Sequence, residues 1–306
     1  MNFNLLPGLA ILVVAALAVF LYWSDKGLEV TRYTVEHPSV PGAFEGFVIV
    51  QVSDLQSASF GRGQRRLAKA VSGASPDLIV FTGDLADRNH TDYQASLKAM
   101  ERLTAIAPVY YVNGNHELAL PPKDVSQIYD AMEAMGVRLL FDRGEALCRG
   151  QDRLVLLGMS EETLYAAKGV RPGDGQPSRT STAFDRSAII QAVESLTGNL
   201  RPEDMAVLLV HEPQYLDTYA EAAEGRLDLI FSGHAHGGQI RLPFTQGLFA
   251  PGQGILPKLT SGVHRRGTTA MVISRGLGNS TFPFRVFNRP EIVAVELRQL
   301  SDLSEK

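Results

Sequence analysis

The chain has 306 residues, 45% of them hydrophobic and 20% charged, enough for one large core or two modest ones. A formal net charge of -4 supplies no basic excess for neutralising a nucleic-acid backbone, so no nucleic-acid partner is expected. The single cysteine, Cys148, excludes an intrachain disulfide framework and any multi-cysteine zinc site, without fixing the compartment.

The first predicted element is an apolar helix. Leu5 to Trp23 is a run of 19 uncharged residues ending in the aromatic pair Tyr22 and Trp23, nearly enough to cross a hydrocarbon core of about 30 Å. A cleaved signal peptide fits less well. "MNFN" lacks a basic region, and the Ala-x-Ala-like triplets lie inside the apolar run. Residues 1–24 are therefore read as a single-pass anchor in a bacterial inner or plasma membrane. Lys26 and Arg32 follow the span and no basic residue precedes it, which favours a cytoplasmic domain. Residues 25–45 form a linker and lead-in strand ("LEVTRYTVEH"), 46–300 the main domain, and 301–306 a tail.

From Gly46 short apolar runs alternate with helical patterns. "FVIVQVSD" (47–54), "DLIVFTGD" (77–84), "PVYYVNGNHE" (108–117), "RLVLLGMS" (153–160), "MAVLLVHEP" (205–213), "LDLIFSGHAH" (227–236), "TAMVISRG" (269–276) and "PEIVAVEL" (290–297) read as buried or half-buried strands. Helical spacing recurs at 62–72, 91–106, 123–135 and 183–196. Helices are sparse between 137 and 160 and after 240, so the body is α/β with mixed sheets sandwiched by helices. The stretch 166–182 reads as a polar loop. Residues 241–267 are rich in Gly and Pro but carry Leu248, Phe249, Ile255, Leu256 and Leu259, which need a burial partner in the domain or in lipid.

Open α/β sheets place chemistry beyond the carboxyl ends of their strands. Those ends carry Asp54, Asp84, Asn115 with His116, His211, and His234 with His236. One such residue is ordinary turn chemistry; the whole set is not. Carboxylates can bridge cations, neutral imidazoles suit Mn, Fe, Co or Zn, and an Asn carbonyl fills a position without adding charge, so the set suits two adjacent divalent ions. Gly114, Gly233 and the pair Gly237–Gly238 permit close backbone approach, whereas Gly83 reads as a strand terminator.

The blocks "SDLQ", "GDLAD", "NGNHE", "VHEP" and "SGHAHGGQ", in this order over residues 47 to 298, resemble the signatures of calcineurin-like metallophosphoesterases. With the apolar start, "SRGLG" and "RPEIVAVEL", the chain is similar to their membrane-anchored bacterial branch, which includes phosphodiesterases and is related to UDP-2,3-diacylglucosamine pyrophosphatases. The resemblance implies a four-layer αββα sandwich and two divalent ions, Mn first among the candidates with Fe, Co or Zn as alternatives. Asp84 would bridge the ions. Asp54, His236 and the residue at 56 would hold the first; Asn115, His211 and His234 the second. His116 would act on the scissile phosphate without binding metal. The family normally has histidine where this chain has Gln56, a poorer donor, so the first ion should be held more weakly.

The implied reaction is hydrolysis of a phosphodiester or pyrophosphate bond by a hydroxide held at the di-metal site. The expected substrate is a small-molecule or lipid-linked phosphoester at the membrane surface, and no obligate protein partner is evident. Phosphomonoester hydrolysis, or a non-catalytic metal-binding protein degenerate at Gln56, are the alternatives. Arg275 is a candidate for substrate phosphate, with Lys168, Arg171 and Arg179 weaker ones. Asp87 and Glu117 are candidates for orienting imidazoles. His37, His90 and His264 are expected at the surface.

Overall fold

The computed structural model describes residues 5–300 except 90, 171–183, 243 and 280–281. His90, Arg171, Arg179, most of the 166–182 loop and the 301–306 tail therefore lie outside the described residues.

Helix α1 (Leu5–Lys26) covers the apolar run, and only two residues separate it from β1 (Glu29–His37). The first half of the domain then runs β2 (Val48–Val52), α2 (Arg65–Ser72), β3 (Leu78–Thr82), α3 (Tyr93–Thr104), β4 (Val109–Val112), α4 (Asn115–Leu118), α5 (Pro122–Ala134) and β5 (Arg138–Leu139). The second half has β6 (Arg143–Arg149), β7 (Asp152–Gly158), α6 (Glu161–Ala167), α7 (Arg186–Thr197), β8 (Met205–Leu209), α8 (Leu216–Ala222) and β9 (Leu229–Ser232). It ends with β10 (Phe249–Ala250), β11 (Gly254–Ile255), β12 (Gly262–Arg266), β13 (Thr269–Ile273) and β14 (Glu291–Gln299).

Two six-stranded mixed sheets form, in the orders β1-β14-β2-β3-β4-β5 and β12-β13-β9-β8-β7-β6. Side-chain alternation explains why their strands read as continuous apolar runs. In β3, Leu78 and Val80 enter the core between the sheets while Ile79 and Phe81 meet α2, α3 and α5 outside. In β8, Met205, Val207 and Leu209 face the same central core, while Ala206 and Leu208 meet α6, α7 and α8. The result is the expected four-layer αββα sandwich. Helix starts follow local capping: Asp92 accepts from the Ala95 N–H at 3.0 Å and Asp185 from the Ser187 N–H at 2.9 Å.

One surface expectation fails. His37 is buried, with its Nδ1 3.3 Å from Asp228 Oδ1, because the end of β1 is folded against the strand that carries Asp228. His264 is half-buried and bonds the Ser261 carbonyl at 3.0 Å.

Candidate metal centre

The parallel strands of both sheets deliver their carboxyl ends to one edge of the sandwich. Beyond β2, β3 and β4 lie Asp54, Asp84 and Asn115; beyond β8 and β9 lie His211, His234 and His236. Gln51, buried beneath, fastens the two sheets by donating to Thr82 Oγ1 at 2.9 Å and to the Ser232 carbonyl at 2.8 Å. Nothing in the sequence pattern singled it out, since a polar residue in an apolar strand carries no periodicity.

Ligand-capable atoms of Asp54, Asp84 and His236 all lie within 4.8 Å of one another. His236 Nε2 stands 3.5 Å from Asp54 Oδ1. A second group gathers around His211 Nε2, with His234 Nδ1 at 3.1 Å, Asn115 Oδ1 at 3.2 Å and Asp84 Oδ2 at 3.5 Å. Asp84 Oδ2 thus belongs to both groups. Gln56 sits on the first, its Nε2 3.2 Å from Asp84 Oδ2 and 3.1 Å from His236 Nε2, while its Oε1 is buried with no partner. All seven residues are buried.

Five of these seven, Asp54, Gln56, Asp84, His234 and His236, adopt left-handed backbone with φ between 45° and 66°. For side-chain-bearing residues this costs of order 1–3 kcal/mol each, and such strain collects where function demands a particular side-chain direction. Gly83 does more than end a strand. Its φ is 87° and a Cβ there would lie 2.6 Å from His211 Nδ1 and 2.8 Å from the Gly114 nitrogen, so only glycine leaves room for the His211 ring and the loop after β4 beside Asp84.

Burial and neighbouring charges set the protonation of the donors. Burial pushes the Asp54 carboxyl up to about 6 and the His234 imidazole down to about 4. It also holds His236 well below the ordinary histidine range, with Arg285 adding to the effect, so both rings are neutral with lone pairs to offer. Burial opposes charge on Asp84 as well, but the His116 and His211 rings outweigh it and hold the carboxyl well below its usual range. His211 Nδ1 faces the Thr82 carbonyl at 2.8 Å, and although burial opposes its charge, Asp84 holds the imidazole well above the ordinary histidine range, so the ring would have to give up its Nε2 proton to bind an ion. Oxygen and imidazole donors in this mixture fit divalent transition-type ions.

His116 stands at the rim. Its Nε2 is 3.9 Å from Asp84 Oδ2, its Nδ1 accepts the Arg88 N–H at 3.3 Å, and Asp87 Oδ1 lies 3.4 Å from the same nitrogen as an ion-pair contact. Asp87 therefore lies where it can orient an imidazole. Glu117 does not: its carboxylate accepts the backbone N–H groups of Asp84 (3.0 Å), Ala86 (3.0 Å) and Gly114 (2.9 Å), because α4 turns it back beneath the loops. Arg275 differs from expectation too. Its Nη2 is engaged by Glu291 at 2.9 Å and Glu29 at 3.3 Å, so two carboxylates already balance the charge expected for phosphate. Lys168 is likewise drawn into the protein, 2.5 Å from Glu212 and 3.5 Å from Glu161, with Glu212 3.8 Å from His234 Nε2.

Sequence reasoning missed a further support. Arg285 is fully buried and donates to the carbonyls of Arg275 at 3.0 Å and of Gly278, while Asn288 donates to the carbonyls of His236 at 2.7 Å and Gln239 at 3.0 Å. An arginine in a Phe-rich stretch carries no pattern of its own, and only the tertiary path shows it bracing the turn at 275–278 while Asn288 holds the histidine loop.

An αββα sandwich whose two sheets jointly build a buried Asp/His metal cluster defines a metal-dependent phosphoesterase. A model of the calcineurin-like phosphoesterase family matches residues 47–238, and the chain belongs to that family. It is 28% identical over 281 residues to the uncharacterized metallophosphoesterase YkuE of Bacillus subtilis, covering 90% of this chain and 88% of that protein. It is 26% identical over 224 residues to phosphodiesterase YaeI of Escherichia coli, covering 72% and 70%. A transmembrane protein with metallophosphoesterase domain from Danio rerio is 25% identical over 300 residues, covering 95% of this chain and 62% of that one.

Proposed function

We propose that the protein hydrolyses a phosphodiester or pyrophosphate bond of a lipid-linked substrate at a membrane surface. The observation that carries the chemistry is the shared Asp84 carboxylate between two donor groups. Asp54, Gln56, Asp84 and His236 would hold one divalent ion, and Asp84, Asn115, His211 and His234 the other, with Mn the first candidate. Ions so bound would supply Lewis-acid activation of water and of the phosphoryl group. His116, positioned by Asp87, would hold a proton at Nε2 for the departing oxygen, which typically contributes 10²–10⁴-fold. Asp84 accepts the His116 backbone N–H at 2.9 Å, so a direct bond between the loop after β3 and the start of α4 places ligand and proton donor relative to one another.

The lipid-linked reading draws support from an apolar cavity of about 270 Å³ beside His236, walled by Ile240, Leu248, Phe249, Pro251 and Phe282. Among the described residues one helix, α1, is long and apolar enough to cross a membrane, and it supports the reading of an anchor. Lys26 and Arg32 after it favour a cytoplasmic domain. A relative named as a phosphodiesterase favours the diester over the monoester.

Full-length protein in detergent should hydrolyse bis(4-nitrophenyl) phosphate when Mn is added, and faster than the mononitrophenyl monoester. His116→Ala should keep the ion content and lose about 10²–10⁴-fold in kcat. Absence of turnover with every divalent ion would remove the proposal. A second reading, a one-ion enzyme, is favoured by the seat of Gln56 Nε2, whose N–H groups fill part of the space between Asp84 and His236. Metal analysis of the purified chain separates one ion from two.

A further inference from the structure

Three of the five apolar side chains in the 241–267 segment that needed a burial partner stay exposed: Ile255 by 81%, Leu256, and Phe249 at the wall of the apolar cavity. They join a larger group. Phe244 is fully exposed, and Phe284 and Phe287 are 46% and 60% exposed. The two segments lie together, since Arg241 N–H bonds the Val286 carbonyl at 3.0 Å and Gln239 reaches the carbonyls of Phe282 and Phe284 at 3.0 and 3.1 Å. So many large apolar groups on one rim exceed what scattered surface hydrophobics explain.

The position of this rim relative to α1 identifies its occupant. The Phe287 ring lies 5.1 Å from the ring of Phe20, inside the apolar span. At 1.5 Å per residue, Phe20 stands about 9 Å up the helix from Lys26. That is the depth, about 5–10 Å into the headgroup and acyl boundary, at which interfacial apolar faces reside. The junction holds this attitude firmly. Arg289 donates to the carbonyls of Gly27 at 2.8 Å and Leu28 at 2.7 Å and stacks 4.6 Å over Trp23, and Asn279 bonds Asp25. Beside the same helix end, a groove lined by Arg32, Arg66 and Lys69 offers positive charge suited to anionic headgroups.

We infer that the rim formed by Phe244, Phe249, Ile255, Leu256, Phe284 and Phe287 inserts into the same leaflet from which α1 emerges, so that the catalytic domain is seated on the bilayer at a second, non-helical contact. The inference rests on α1 spanning a membrane as proposed above. Its consequence is that the apolar cavity by His236 stands at the level of lipid acyl chains.

The test uses the full chain, reconstituted in phosphatidylcholine nanodiscs at one copy per disc, with no requirement for turnover. Cys148 is the only cysteine and is exposed, so it serves as a solvent reference when spin-labelled. In a Cys148→Ser background, single labels are placed by Phe244→Cys, Ile255→Cys and Phe284→Cys, and by Leu17→Cys within the helix. The ratio of oxygen to nickel-complex collisions should rise several-fold over that at Cys148 for all three rim labels. A lipid-phase signal at Leu17 with water-phase signals at all three rim positions would overturn the seating while leaving the anchor intact. A water-phase signal at Leu17 as well would overturn the membrane reading itself. Spin–spin broadening between rim labels in larger vesicles, without a lipid-phase signal, would assign the rim to a second copy of the chain and overturn the inference.

Discussion

Gln56 is where this chain departs from the pattern it resembles, and its geometry suggests what the departure does. The amide nitrogen faces Asp84 and His236 while the oxygen is buried unpartnered, so turning the amide would present a carbonyl to an ion between them. A carbonyl is a weaker donor than imidazole to transition-type ions. Gln56→His should therefore lower the Mn concentration for half-activation by roughly tenfold or more, judged against the 10–100-fold effect of altering supporting groups at metal sites. Titration of activity with metal checks it, and an unchanged midpoint would show that position 56 does not bind the ion. The donor types at 54, 84, 115, 211, 234 and 236 were legible because each closes an apolar run. The occupations of Arg275, Lys168 and Glu117 were not, because a charged residue's partner is chosen by chain segments distant in sequence.

At the scale of elements, the short helix α4 unites two loops that carry ligands. Its Glu117 carboxylate receives backbone N–H groups from the loop after β3 and the loop after β4, and burial followed by repulsion from Asp84 pushes its carboxyl up to about 7. Removing the carboxylate leaves three buried donors unpaired, at about 1–3 kcal/mol for each group. Glu117→Ala should accordingly destabilise the fold by about 3 kcal/mol or more in thermal unfolding and lower metal content, whereas Asp87→Ala should leave stability nearly unchanged and slow turnover through His116. The buried strands announced themselves by apolar runs and the helices at 65–72, 93–104, 122–134 and 186–197 by period, whereas the half-exposed edge strands at 143–149 and 262–266 did not. The helices at 161–167 and 216–222 and the short strands did not, since one or two turns give too few residues to display a face.

At the scale of the molecule, the candidate site brings together groups from two sheets that also meet through apolar packing, Gln51 and polar pairs such as His37–Asp228 and Tyr110–Glu145. Metal held as proposed, across Asp84 from one sheet and His211 with His234 from the other, would have to be released for the sandwich to open. Ions that bind only the folded state stabilise it by about 2.7 kcal/mol each at a hundredfold excess over Kd. Chelation should therefore lower the unfolding midpoint of the full chain, and Asp84→Asn should abolish the metal-dependent part of that midpoint. An equal midpoint with and without Mn would mean that the two sheets are not joined through the cluster.

The amino-acid order alone determined the alternation of buried strands and helices, the apolar helix at the start, and the chemical identity of the donors, because periodicity, length and donor type are local properties. Only the tertiary structure decided that Asp84 lies between two donor groups, that Glu117 and Arg285 support loops rather than substrate, and that the exposed Phe287 packs beside Phe20. Those relations join residues up to two hundred and more positions apart, and their distances are set by how two sheets stack and where the chain crosses between them.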